Sequence, residues 1–177
     1  MSPDLHRFRP RGLRIGLAVA MAAAVAASLC VSRPWVLLNT TKSEPEGLYL
    51  GQSGEPIVGA LAAFKAPAAA FPYADARLSF LHHRPLLKAI AAAAGDTVCT
   101  TSGRLVINGK DRAPITRSDG QGRALPVWTG CRPMAADEVF AFSDRVPNSF
   151  DSRYFGPVRR SAVLGVYRPL ITVREKP

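Results

Sequence analysis

Apolar and polar positions divide this chain into one long apolar run followed by many short ones. The long run extends from Ile15 to Val31, roughly 17 residues, the short end for a helix that crosses a bilayer. Leu13 and the Trp35–Leu38 stretch are placed to lengthen this apolar zone. Beyond it, Gly47–Leu50, Ile57–Phe64, Arg104–Ile107, Glu138–Phe142, Ala162–Val166 and Leu170–Val173 are short runs bounded by Gly, Pro or Asn, the signature of strands. Asn108-Gly109 after the third of these predicts a hairpin, because that dipeptide accepts the positive φ of a type I′ turn. Residues from about 111 to 135 are rich in Pro, Gly and charge and predict an irregular excursion. Leu86–Ala94 is helical by propensity. Read as a strand, it puts Leu86, Lys88 and Ile90 on one face. No internal repeat is evident, and the fold class expected is mostly β.

Charge orients this plan. His6, Arg7, Arg9, Arg11 and Arg14 precede the long run, and Arg33 follows it. By the positive-inside rule, residues 1–12 form a basic cytoplasmic tail, 13–34 a transmembrane anchor, and 35–177 a single periplasmic domain at the inner membrane. A cleavable signal peptide is the alternative, with Ala24, Ala26, Ala27 and Ser28 as cleavage positions. A lipoprotein site at Cys30 is disfavoured by bulky Leu29 before it. The 177 residues carry a net charge of +10, but the basic residues are dispersed apart from the N-terminal cluster, and no zinc-finger or RNP-like spacing occurs. A nucleic-acid partner is therefore not expected. Export makes Cys99 and Cys131 a candidate disulfide closing a loop of about 33 residues, with free thiols as the alternative. Cys30, inside the long run, reads as a small buried hydrophobe.

The candidate chemistry begins at Ser43, in the turn Ser43-Glu44-Pro45-Glu46-Gly47. Its proline fixes one φ and its glycine frees another, so the serine is presented on a tight turn. Lys88 lies among Leu86, Leu87, Ala89 and Ile90. It either snorkels to the surface or is buried, and burial disfavours the ammonium. A neutral lysine supplies the general base that a serine hydroxyl needs. A third cluster, Asn148-Ser149-Phe150-Asp151-Ser152-Arg153, holds a dense set of hydrogen-bonding groups between apolar strands. His82 and His83 offer a rival triad, but adjacent residues on a strand point to opposite faces. No second ligand cluster accompanies them, so neither a metal nor a cofactor is expected.

Ser43 in Ser-x-Pro-x-Gly, Lys88 followed by Gly95-Asp96, Ile107-Asn108-Gly109, and Asn148-Ser149-x-Asp151-Ser152-Arg153-x-x-Gly156 follow one another as in the type I signal peptidases, which this chain resembles. Pro45 two residues after the serine, with Gly47-Leu48-Tyr49 following, is similar to the conjugative-transfer, TraF-type branch. Glu44 stands where typical signal peptidases have methionine, and Ser143-Asp144 stands in place of their Gly-Asp.

The resemblance implies an antiparallel β catalytic domain on a single N-terminal transmembrane helix. Ser43 would be the nucleophile and Lys88 its base, with Thr41 and the Ser43 N–H as the oxyanion hole. Ser149 would orient the lysine, and Asp151, Arg153 and Asp144 would support the site. Its implied partners are a membrane-anchored pilin precursor, the inner membrane and the conjugation machinery. A secondary signal peptidase acting on exported proteins and a non-catalytic scaffold of a conjugation or secretion apparatus are the alternatives.

Overall fold

The computed structural model describes residues 34–71 and 73–173, together with Gly16, Val19 and Met21. The chain divides into two units, Met1–Pro34 and Trp35–Pro177. Among the described residues no helix is long and apolar enough to cross a membrane. The tail expected at 1–12 and nearly all of the anchor expected at 13–34 lie outside the described residues.

The second unit is an antiparallel β structure of two sheets. Its strands are β1 (Val36–Asn39), β2 (Gly47–Gln52), β3 (Leu61–Phe64), β4 (Leu86–Ala92), β5 (Thr97–Cys99) and β6 (Arg104–Ile107). They continue with β7 (Lys110–Pro114), β8 (Cys131–Pro133), β9 (Glu138–Ala141), β10 (Val158–Arg159) and β11 (Val163–Thr172). The larger sheet runs β1-β2-β11-β3-β4-β9-β10 and the smaller β7-β6-β5-β8. The C-terminal strand is thus inserted between β2 and β3, which brings the Ser43 turn and β4 into one sheet although some 45 residues separate them in sequence.

Leu86–Ala92 is a strand, against its alanine-rich helix propensity. It pairs with β3 and β9 along its two edges and is packed on both faces, with Leu86 and Ile90 in one core and Leu87 in another, and a strand buried this way reads as a continuous apolar run without alternation. Tertiary burial overrides propensity here. The small side chains Ala62 and Ala141 share one core with bulky Phe64, Ile90 and Phe155, whereas Ala63 packs with Tyr49, Leu87 and Tyr167 in another. The smaller sheet closes a second core of Val98, Leu105, Ile107, Phe140, Phe142 and Tyr154.

The Asn108-Gly109 hairpin forms as expected, with φ of 50° and 75° and Ile107 opposite Lys110. Other boundaries differ from the sequence reading. Trp35–Leu38 does not prolong an apolar helix, since Val36–Asn39 pairs with β2 as an edge strand. Only Leu61–Phe64 of the run at 57–64 is a strand, because Pro56 and the positive φ of Gly59 hold Ile57 and Val58 in an exposed turn. The runs at 162–166 and 170–173 form one strand, whose pairing with β2 shifts register at Pro169, a residue with no N–H to give the ladder. The excursion contributes its two ends to the smaller sheet as β7 and β8. Cys99 and Cys131 face each other across β5 and β8 and are joined by a disulfide.

Candidate active site

The Ser43 turn is built by Asn39, the last residue of β1. Its Nδ2 donates to the carbonyls of Thr41, Glu44 and Pro45 at 2.9, 2.9 and 3.0 Å, and its Oδ1 accepts from Thr41 N and Oγ1 at 3.1 and 2.8 Å. One amide therefore satisfies a turn that has no ladder of its own. The Tyr49 hydroxyl donates to Pro45 O at 2.5 Å from the strand that follows. Gly47 is required between them: its φ is 150°, and a Cβ there would sit 2.7 Å from Thr172 Cα and collide with Ile171 O.

Lys88 projects from β4 into this turn. Its Nζ donates to Ser43 Oγ at 2.5 Å and to Leu87 O at 3.2 Å. The lysine is 3% exposed, and that burial lowers the affinity of its amine for a proton. Asp151 and Glu44 oppose the effect, while Arg153 adds to it. The pairing sets a buried amine against a hydroxyl that is scarcely nucleophilic unaided.

The 149–153 cluster braces the site from one side. Asp151 and Arg153 form a fully buried ion pair, with Nε–Oδ1 at 2.8 Å and Nη2–Oδ2 at 2.9 Å. Asp151 also caps the helical turn Ser152–Phe155, accepting from Arg153 N at 3.2 Å, and receives Ser143 N at 3.5 Å. Arg153 reaches Pro114 O and Ser149 O and lies 4.9 Å over the Phe142 ring. Ser152 Oγ accepts from Ala141 N, fixing this turn to β9.

The other expected site residues are Ser149, Asp144 and Thr41. Ser149 Oγ is buried and makes no hydrogen bond among the described residues, to the Lys88 amine or otherwise. Leu87 O receives that amine alongside Ser43. Asp144 turns outward, 71% exposed and 3.9 Å from Arg112. Thr41 Oγ1 lies 3.4 Å from Ser43 Oγ, but its single proton serves Asn39 Oδ1, so donation to an oxyanion requires that hydroxyl to rotate.

Three contributors were given no role from sequence. Asn39 is the residue immediately before the turn, a position where Asx side chains bond the backbone locally. Ser143 Oγ donates to Ser43 O, a bond the glycine usual in the resembled family lacks. Glu44 is buried, and its Oε1 accepts from Ala89 N at 3.3 Å. For the last two, the signal was the departure from the family pattern. The histidines lie apart from this cluster: His82 bonds exposed Asp75 at 2.6 Å and stacks on Phe71. Among the described residues no group of three or more metal-ligating side chains converges.

Comparison with known proteins identifies the family of this chain. The family model described as signal peptidase, peptidase S26, matches residues 10–171. A plasmid transfer protein TraF of Escherichia coli is 33% identical over 146 residues, covering 76% of this chain and 82% of that protein. A conjugal transfer protein TraF of Agrobacterium tumefaciens is 33% identical over 147 residues, 76% of this chain and 81% of that protein. A crystal structure of a signal peptidase I from Enterococcus faecalis aligns with a TM-score of 0.39 at 21% identity, covering 65% of this chain and 98% of that one. Matched by the family model from near its start almost to its end, the chain belongs to the signal peptidase family, peptidase S26, among relatives of the TraF transfer type.

Proposed function

We propose that this protein is a Ser-Lys endopeptidase of a conjugation system, anchored in the inner membrane with its β domain on the periplasmic side, that processes a pilin precursor. The observation that carries the reading is the 2.5 Å contact between Lys88 Nζ and Ser43 Oγ in a buried setting. The curated relatives named as plasmid and conjugal transfer proteins supply the context.

The reaction is acyl transfer. Neutral Lys88 takes the Ser43 hydroxyl proton as Oγ bonds the substrate carbonyl carbon. The developing oxyanion is received by the Ser43 N–H and a rotated Thr41 hydroxyl. Collapse breaks the peptide C–N bond, and the departing amine takes the proton back from Lys88. The acyl-enzyme is then cleared by water, giving a linear product, or by the substrate's own amine, giving a cyclic one. Either acceptor loses its proton to Lys88, and Ser43 is regenerated.

Mass spectrometry of a co-expressed pilin precursor tests this, with wild type beside Ser43→Ala, Lys88→Ala and Lys88→Arg. Trimmed precursor is expected with wild type alone, since guanidinium stays protonated and cannot replace the amine. A product lighter than the linear peptide by one water identifies cyclisation. Substantial processing by any of the three variants refutes the dyad.

A further inference from the structure

The excursion, whose ends are β7 and β8, meets the site at three points. Arg153 Nη1 donates to Pro114 O at 3.1 Å, Trp128 N donates to Arg153 O at 3.1 Å, and Thr116 Oγ1 lies 3.0 Å from the Tyr154 hydroxyl. The Trp128 indole also covers Gly156, where an added Cβ would stand 2.7 Å from the ring. From Arg153, hydrogen bonds run without a break to the nucleophile. The guanidinium bonds both oxygens of Asp151, Asp151 Oδ2 accepts from Ser143 N at 3.5 Å, and Ser143 Oγ donates to Ser43 O.

The excursion is held at its base. Thr100, next to Cys99, donates its hydroxyl to Trp128 O at 2.6 Å and accepts from Gly130 N at 3.2 Å, and its N–H donates to Gly130 O at 2.8 Å. β8 is an edge strand of three exposed residues that pairs with β5 alone, and the Cys99–Cys131 disulfide ties it there. Cys131 is exposed, so a reductant can reach the bond. A short exposed edge strand opens locally at little cost once its cross-link is gone.

We propose that the Cys99–Cys131 disulfide is a redox switch on the peptidase. Oxidised, it clasps the excursion against Arg153 and keeps the Ser43 turn in its reactive position. Reduced, it lets the excursion lift and slows turnover. The step is a two-electron exchange: a dithiol attacks the disulfide, the S–S bond breaks, both cysteine sulfurs end as thiols, and the dithiol closes to its own disulfide. Cleavage is thereby confined to an oxidising compartment, where disulfides persist. That consequence rests on the peptidase reading, whereas the clasp itself does not.

The test compares full-length protein in detergent micelles when oxidised, reduced with dithiothreitol and reoxidised, with thiols counted by alkylation and intact mass. On reduction, hydrogen exchange is expected to quicken at residues 114–130 and 153–156 while β3 and β4 keep their protection. The kcat for precursor processing should fall by about 2- to 30-fold, the range over which packed networks couple sites, with KM little changed and recovery on reoxidation. The double variant Cys99→Ser/Cys131→Ser should match the reduced protein and be indifferent to dithiothreitol. Unaltered exchange at 153–156 in fully reduced protein overturns the proposal. So does an unaltered kcat, or a kcat that falls only as β3 and β4 lose protection, since the cross-link then serves stability alone. Exchange needs no turnover, so it judges the clasp even if Ser43→Ala retains activity and the peptidase reading falls.

Discussion

Replacing Asp151 with alanine strips the buried Arg153 of its carboxylate. In the intact protein the guanidinium makes two bonds to Asp151 and one each to Pro114 O and Ser149 O, beneath the Phe142 and Tyr154 rings. The variant retains the carbonyls and rings and loses the only carboxylate bonded to Arg153 among the described residues. Breaking one side of a buried pair costs about 3–5 kcal/mol, and loss of the cap on the Ser152–Phe155 turn adds about 1 kcal/mol. Domains are stable by only about 5–15 kcal/mol, so Asp151→Ala should remove a large share of the total. Urea unfolding of the full chain in micelles, followed by tryptophan fluorescence, reads the change as a lower midpoint at unchanged slope. The double variant Asp151→Leu/Arg153→Met should recover most of the loss, because it buries no uncompensated charge. A cost below about 1 kcal/mol for Asp151→Ala would refute the reasoning. So would a double variant as unstable as the single one, since the penalty would then not be the stranded guanidinium.

Two further outcomes follow from burial and from cross-linking. Lys88→Met should abolish processing yet stabilise the fold at neutral pH. Burial holds the folded Lys88 midpoint below its ordinary value, so between that midpoint and about pH 10.4 the unfolded chain binds more protons and stability climbs with pH. Below the folded midpoint the penalty is fully present, and methionine removes it. Urea midpoints measured from neutral to alkaline pH should be flatter for Lys88→Met than for wild type, and parallel curves would contradict the buried amine. Replacing Cys99 and Cys131 with serine removes a cross-link between residues 32 apart and should cost about 3–4 kcal/mol on the chain-entropy model, read as a lower urea midpoint.

Whatever is settled within a few residues is legible in the chain itself. Asn108-Gly109 dictated its hairpin because those two residues tolerate positive φ, and Pro45 with Gly47 dictated the turn that presents Ser43. The order of Ser43, Lys88 and the 148–156 cluster was enough to point to the family, since those motifs are local strings. Long-range packing settles the rest. Leu86–Ala92 is a strand only because β3 and β9 flank it, a fact absent from its own alanine-rich composition. Ser149, Asp144 and Thr41 were assigned by position in a motif, whereas the way their side chains turn is set by packing: Asp144 faces outward, and Thr41 Oγ1 bonds Asn39 while lying 3.4 Å from Ser43 Oγ. Glu44 and Ser143 were visible only as departures from a pattern. Their contacts to Ala89 and Ser43 span long stretches of chain and exist because the strand order folds those stretches together. Turn chemistry is local and readable, whereas a buried charge is defined by everything packed around it.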